Sequence, residues 1–222
     1  PSSAASDVYK RQAVTGIHCR VVEALRKHYG LSYKPVKIVD TFQMLGEVDR
    51  DLADAMGVDC IGVGGTRDIF DHDTECMHEQ VTPWGQKVLV PIQLDLTQDK
   101  EGDVYVYAGG DKNYPPSAVM PNGCFFINAI ERQQPIDEDK LNPMDNLEEF
   151  NSITDEELDV YKKKVNEASA TGRAVVASFG GTALGDVAFV PGMGLKEPKG
   201  IRSVVELSLI HISEPTRRVV IS

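Results

Sequence analysis

The stretch LGEVDRDLADAMGVDCIGVGG, Leu45 to Gly65, narrows what this chain can fold into more than any other. Leu45, Val48, Leu52 and Met56 recur at helical spacing, Gly57 stops them, and VDCIGVGG follows at once as an almost unbroken apolar run. A helix passing through one glycine into a strand apolar on both faces marks the αβ joint of a parallel sheet, because a strand covered on both sides loses polar alternation. RAVVASF (Arg173 to Phe179) repeats the pattern after Gly172, and VKIVD (Val36 to Asp40) is a third short β-branched run. The predicted class is α/β.

The remaining chain is read around these strands. Ile17, Val21 and Leu25 predict a helix ended by Gly30. ITDEELDVYKKKVNEASATG gives the clearest helix, with Thr154 and Glu157 spaced as a capping box, Leu158, Tyr161, Val165 and Ala168 as its buried stripe, and Gly172 at its end. Between them, PWGQKVLVPIQLDL and DVYVYAGG flank TQDKEG and predict a β-hairpin insertion with Gly102 in the turn; Pro91 places its first arm at an edge or bulge. KNYPPSAVMPNG is expected to be loop, and residues 141–150 are acidic and proline-broken.

The ends read differently. In the simplest codons Asp7 to Gln12 has a reverse complement that translates as Leu-Ser-Leu-Ile-His-Ile, which is Leu207 to Ile212. Residues 1–12 and 207–222 are therefore expected to be translated sequencing adapter, and residues 13–206 an internal piece of a longer gene. No apolar run of about 18 residues occurs, so no membrane span is expected. A net charge of −11 argues against nucleic acid, which needs a basic stripe. Four cysteines are too few for a disulfide scaffold, and a reducing cytoplasm is the expected compartment.

Familiar ligand motifs fail on inspection. Gly62, Gly64 and Gly65 begin a dinucleotide fingerprint whose third glycine falls on Arg67, and Gly180 to Gly185 matches half a P-loop with Asp186 where a lysine is needed. DHDTECMHE (Asp71 to Glu79) lacks the glycine and glutamate of a calcium loop and the spacing of a zinc pair, so it is expected to be a solvated loop. His18 and Cys19, adjacent on a helix, point about 100° apart and make no pair.

LADAMGVDCIGVGGTRDIF and RAVVASFGGTAL together resemble the uroporphyrinogen decarboxylase superfamily, and the likeness covers most of residues 13–206. The resemblance implies a (β/α)8 TIM barrel, here incomplete. The decarboxylases' arginine-rich loop has no counterpart, and Gly181-Thr182-Ala183 replaces a turn that usually carries proline, so the chain is most similar to the methyltransferase-like branch. That branch implies corrinoid-dependent methyl transfer to a thiol, with a small molecule or a corrinoid protein as substrate. Zinc and a corrinoid are implied for the full-length protein, and none within residues 13–206. The alternatives are uroporphyrinogen decarboxylation in porphyrin biosynthesis and a noncatalytic corrinoid or tetrapyrrole-binding module. Barrel chemistry sits at the C-terminal ends of strands. Asp68 matches the family's Asp-Ile position and is the catalytic candidate, stabilising a developing cation or orienting substrate; Asp40, Arg67, Gly180, Gly181 and Thr182 are the substrate-binding candidates. Asp68 could instead cap a helix or pair with Arg67, and Asp40 could cap the segment after it.

Overall fold

The computed structural model describes residues 16–135, 137–140, 142, 144–145, 148, 152–177 and 192–200. Strand β1 (Ile17–His18) leads straight into helix α1 (Cys19–His28). His18 caps α1, its Nδ1 accepting from Arg20 N at 3.3 Å, and Arg26, Lys27 and His28 fill the last turn, where cations complement the helix dipole. Gly30, at φ 69°, ends it. The inward face is Cys19, Val22 and Arg26, while Val21 of the expected stripe is 50% exposed. Arg26 explains the rotation: its guanidinium binds Asp49 at 2.7 Å and Asp51 at 2.9 Å and can therefore be buried, which a reading of apolar spacing alone misses.

Strand β2 (Val36–Asp40) turns through residues 41–44 into the short β3 (Leu45–Gly46), so Leu45 belongs to a strand and not to the expected helix. Helix α2 (Arg50–Ala55) begins only at its cap, Asp49, whose side chain accepts from Leu52 N, and Gly57 at φ 64° closes it. Then come β4 (Cys60–Val63), β5 (Met77–Val81), β6 (Lys87–Pro91), β7 (Val104–Val106), β8 (Ala118–Met120) and β9 (Asn128–Ala129). Helix α3 (Asp155–Ser169) carries the expected capping box of Thr154 and Glu157 and leads through Thr171 and Gly172 to β10 (Ala174–Ala177).

These strands form three sheets among the described residues: β1-β3-β2-β6-β5, β10-β4, and β7-β8-β9. In the first, only β2 and β6 run parallel; in the third every pairing is antiparallel. The expected (β/α)8 barrel is thereby overturned. A TIM barrel closes parallel strands, each followed by a helix, into one cylinder. Among the described residues three α-helices accompany one mixed sheet, one two-stranded parallel sheet and one antiparallel sheet.

The expected hairpin is also corrected. Gly102 does sit in a tight turn at φ 91°, closed by Asp99 N donating to Asp103 O at 2.8 Å, but the strands beside it pair elsewhere. KVLVP pairs antiparallel with MHEQV through the turn Thr82–Gln86 and parallel with VKIVD; VYV pairs with Ala118–Met120, inside the segment expected to be loop. Thr82-Pro83-Trp84-Gly85 carries proline second and glycine fourth, the composition of a β-turn, which was the overlooked signal. Pro91 ends an interior strand, where its missing N–H costs no ladder bond.

The joint that opened the sequence reading does build a parallel pair. β4 and β10 run side by side, Cys60 opposite Ala174 and Val63 opposite Ala177. One side of β4 packs Cys60 on Ala53 and Val58; on the other, Val63 meets Tyr161 and Ala168 of α3. The main core lies on the five-stranded sheet, where Val36, Ile38, Val88 and Val90 meet Val22, Leu52 and Phe70. Fully burying a side chain of this size contributes about 1.5–3 kcal/mol.

Candidate functional site

Strand β2 ends in Asp40, and the loop after β4 carries Asp68; the fold brings their carboxylates together. Thr41, 2% exposed, is the link, donating its Oγ1 proton to Oδ2 of Asp68 at 2.6 Å. Residues 66–74 fold back on themselves: Arg67 bridges Asp73 antiparallel, Asp68 N donates to His72 O at 3.0 Å, and Asp71 takes φ 62°. That left-handed residue is tolerable for aspartate, and it turns His72 inward.

Asp68 is saturated. Oδ1 accepts from Phe70 N and His72 N, each at 2.9 Å, and Oδ2 accepts from Thr41 and faces His72 Nδ1 at 3.1 Å. A carboxylate offers about four acceptor positions, and all are taken. Its side chain is 4% exposed and that of His72 is 1% exposed. The other His72 nitrogen, Nε2, lies 3.0 Å from the Tyr107 carbonyl, which can only accept, so Nε2 is the donor there and the imidazole is held between Tyr107 and Asp68. Phe70 stacks on the imidazole with centroids 5.8 Å apart. Neither His72 nitrogen is left over for a substrate. The solvated-loop expectation for Asp71 to Glu79 therefore fails at His72, whose only trace in sequence is its spacing of four from Asp68.

Asp40 differs. It is half-buried, and its Oδ1 accepts from Gln43 N at 2.8 Å, so it caps the turn that follows rather than a helix. Burial pushes its carboxyl above the ordinary value; hydrogen bonding from the Gln43 amide opposes this, and the neighbouring Asp68 charge adds to the rise. Asp40 is thus a carboxyl biased toward its protonated form beside one wholly engaged as an acceptor.

Arg67 is turned away from this pair. Its exposed guanidinium donates to Asp71 O at 2.9 Å and pairs with Asp71 Oδ1 at 3.1 Å, so Asp68 is not its partner. Gly180, Gly181 and Thr182 lie outside the described residues. The expectation that the strand ends of one barrel gather these residues is corrected accordingly: β4 and β10 form one sheet and β2 belongs to another, and it is Thr41, next to Asp40, that reaches Asp68 from its loop.

No family model, curated protein or solved structure matches the chain.

The loop bearing Asp68 is braced from α3. Lys164 Nζ pairs with Glu75 at 2.6 Å and donates to Gly65 O at 3.3 Å. Among the described residues no group of three His, Cys, Asp or Glu side chains is placed to hold a metal ion, and no helix is long and apolar enough to cross a membrane. What the arrangement can do chemically is offer a polarised carboxyl, Asp40, held in place by a buried network that does not itself reach solvent.

Proposed function

We propose that this chain is part of an enzyme acting on a small molecule at the Asp40–Thr41–Asp68 cluster, and that its reaction is corrinoid-dependent methyl transfer to a thiol. The observation that carries the site is Asp40: a half-buried carboxyl at a strand's C-terminal end, fixed by the Gln43 amide and raised above its ordinary value by burial, with its other oxygen available to orient a polar group. Asp68 acts on it through Thr41 and the His72 loop, as a positioning residue. The branch is supported by sequence, since the arginine-rich loop of the decarboxylases has no counterpart and Gly181-Thr182-Ala183 lacks their proline. Among the described residues no group of ligands fits the zinc of that branch.

A second reading, uroporphyrinogen decarboxylation, is favoured by the same pair of carboxyls. Protonating a pyrrole leaves a cation that needs a nearby anion, and Asp40, the half-buried member of the pair, can face it while Asp68 positions Asp40 through Thr41. The two are separated by assaying the intact gene product for methylcobalamin demethylation with a thiol acceptor and for carbon dioxide release from uroporphyrinogen. Methyl transfer is expected, with Asp40→Asn lowering kcat about 10²-fold or more. Tetrapyrrole binding with neither turnover would identify a binding module and end both enzymatic readings.

A further inference from the structure

Away from the Asp40 cluster, this acidic chain gathers four cations on and beside helix α1. Helix α1, residues 30–34 after it and the β5–β6 turn enclose a groove of about 580 Å³. This falls within the range of small-molecule pockets, about 300–1,000 Å³. Its wall on α1 presents Arg20 and Lys27, seven residues apart and so on one face, with Glu23 between them as the single acidic lining residue. Arg26 and Lys34 add two further cations, already held by Asp49 and Asp51. Arg20 and Lys27 have no ion-pair partner among the described residues. In a chain of net charge −11 this leaves a locally positive groove.

Aromatic surface faces the same space. Trp84 and Tyr33 line it, and Trp84 is fixed by a hydrogen bond from its Nε1 to Gln86 Oε1 at 3.0 Å and by ring contacts with His18 and Phe125 at 5.5 and 5.3 Å. Arg20 is held over the Phe125 ring, 4.6 Å from its centroid, and Phe125 in turn packs on Trp84, so the cation and the indole line one groove through a shared ring. Gln86 in turn anchors the turn to α1, its Nε2 donating to Cys19 O at 3.0 Å. At the floor, Arg26 is 2% exposed and its Nε has no hydrogen-bond partner. A buried guanidinium N–H without an acceptor is unusual and leaves one donor at the groove floor, although Asp49 and Asp51 already balance the charge.

We infer that this groove binds a small anion carrying a planar ring, the ring lying on Trp84 and the anionic group between Arg20 and Lys27. The shared chemistry admits a phosphate-bearing ring such as a mononucleotide or an aromatic carboxylate. The site is separate from the Asp40 cluster and does not depend on the reaction proposed there.

Trp84 is the only tryptophan, so its fluorescence reports occupancy directly. The full chain is titrated with AMP and with benzoate, each beside its uncharged congener, adenosine and benzamide, and the affinities are checked by calorimetry. Expected is saturable quenching by AMP, benzoate or both, with the congener at least about tenfold weaker, and a similar loss in Arg20→Gln/Lys27→Gln. AMP alone would assign a phosphate-bearing ligand and benzoate alone a carboxylate. Both replaced residues are exposed, so an unchanged melting temperature establishes that the variant is folded. No saturable response to either anion at millimolar concentration, equal binding of the neutral congeners, or full binding by the folded variant overturns the inference.

Discussion

Replacing Asp68 tests whether the buried network is what holds the 66–74 loop and Asp40 in place. Asp68→Ala strips the acceptor from Thr41 Oγ1, Phe70 N, His72 N and His72 Nδ1 at once. A hydrogen bond to a charged group contributes about 1.5–3 kcal/mol, but four sharing one carboxylate do not add, because the loop relaxes and water reaches some of the amides. The better guide is the cost of leaving several buried donors without their shared acceptor, about 3–5 kcal/mol in all. Asp68→Asn keeps an oxygen for the two amides and meets His72 and Thr41 with a donor, to which neutral His72 and a rotated hydroxyl can adapt; about 1–2 kcal/mol is expected. Urea unfolding followed by Trp84 reads both. With a slope of about 2 kcal/mol/M the alanine midpoint falls by roughly 2 M and the asparagine midpoint by under about 1 M. An alanine variant within 1 kcal/mol of the parent, or equal costs for the two substitutions, would refute the network.

The raised Asp40 carboxyl has a defined pH signature. A folded value above the unfolded one means stability that is present below the ordinary aspartate value of 3.8 and lost as pH climbs through the folded value, so Asp40→Asn gains on the parent from pH 4 upward and urea midpoints at pH 3.5 and 7 reveal it; a pH-independent difference is the contrary result. Asp51 has the opposite sign: hydrogen bonding to Arg26 holds its carboxyl well below the usual range, so its contribution is full above 3.8 and is lost progressively as pH falls below that value, and Arg26→Met should flatten that acid limb, with Lys34 still pairing Asp51, while costing about 1–3 kcal/mol at neutral pH. Thr154→Ala removes the capping box of α3 and should cost about 1 kcal/mol, a melting shift of about 2–4 °C by calorimetry. Cys19 and Cys60 are buried, with burial pushing the Cys19 thiol to about 12, so a thiol reagent should label only Cys76 and Cys124 before unfolding and all four after.

How much could be read in advance depends on the range of the interactions involved. Thr154 and Glu157 are three residues apart, and Gly30, Gly57 and Gly172 supply positive φ at helix or turn ends, so sequence alone located these stops. The apolar run Cys60–Val63 likewise announced a strand packed on both sides, and Ala174–Ala177 repeated the pattern, but that these two pair with each other and not with Val36–Asp40 came from the fold. Strand partners elsewhere were illegible: Lys87–Pro91 can pair with any β-prone segment, and its choice of Met77–Val81 and Val36–Asp40 rests on which side chains the common core accepts. Burial of polar groups was hidden for the same reason. Arg26 and His72 look like surface residues in one dimension and become interior ones because Asp49, Asp51 and Asp68, distant or oblique in sequence, satisfy them. Local conformational preference is written in neighbouring residues; the cost of burying a charge is met only by partners that the folded chain assembles.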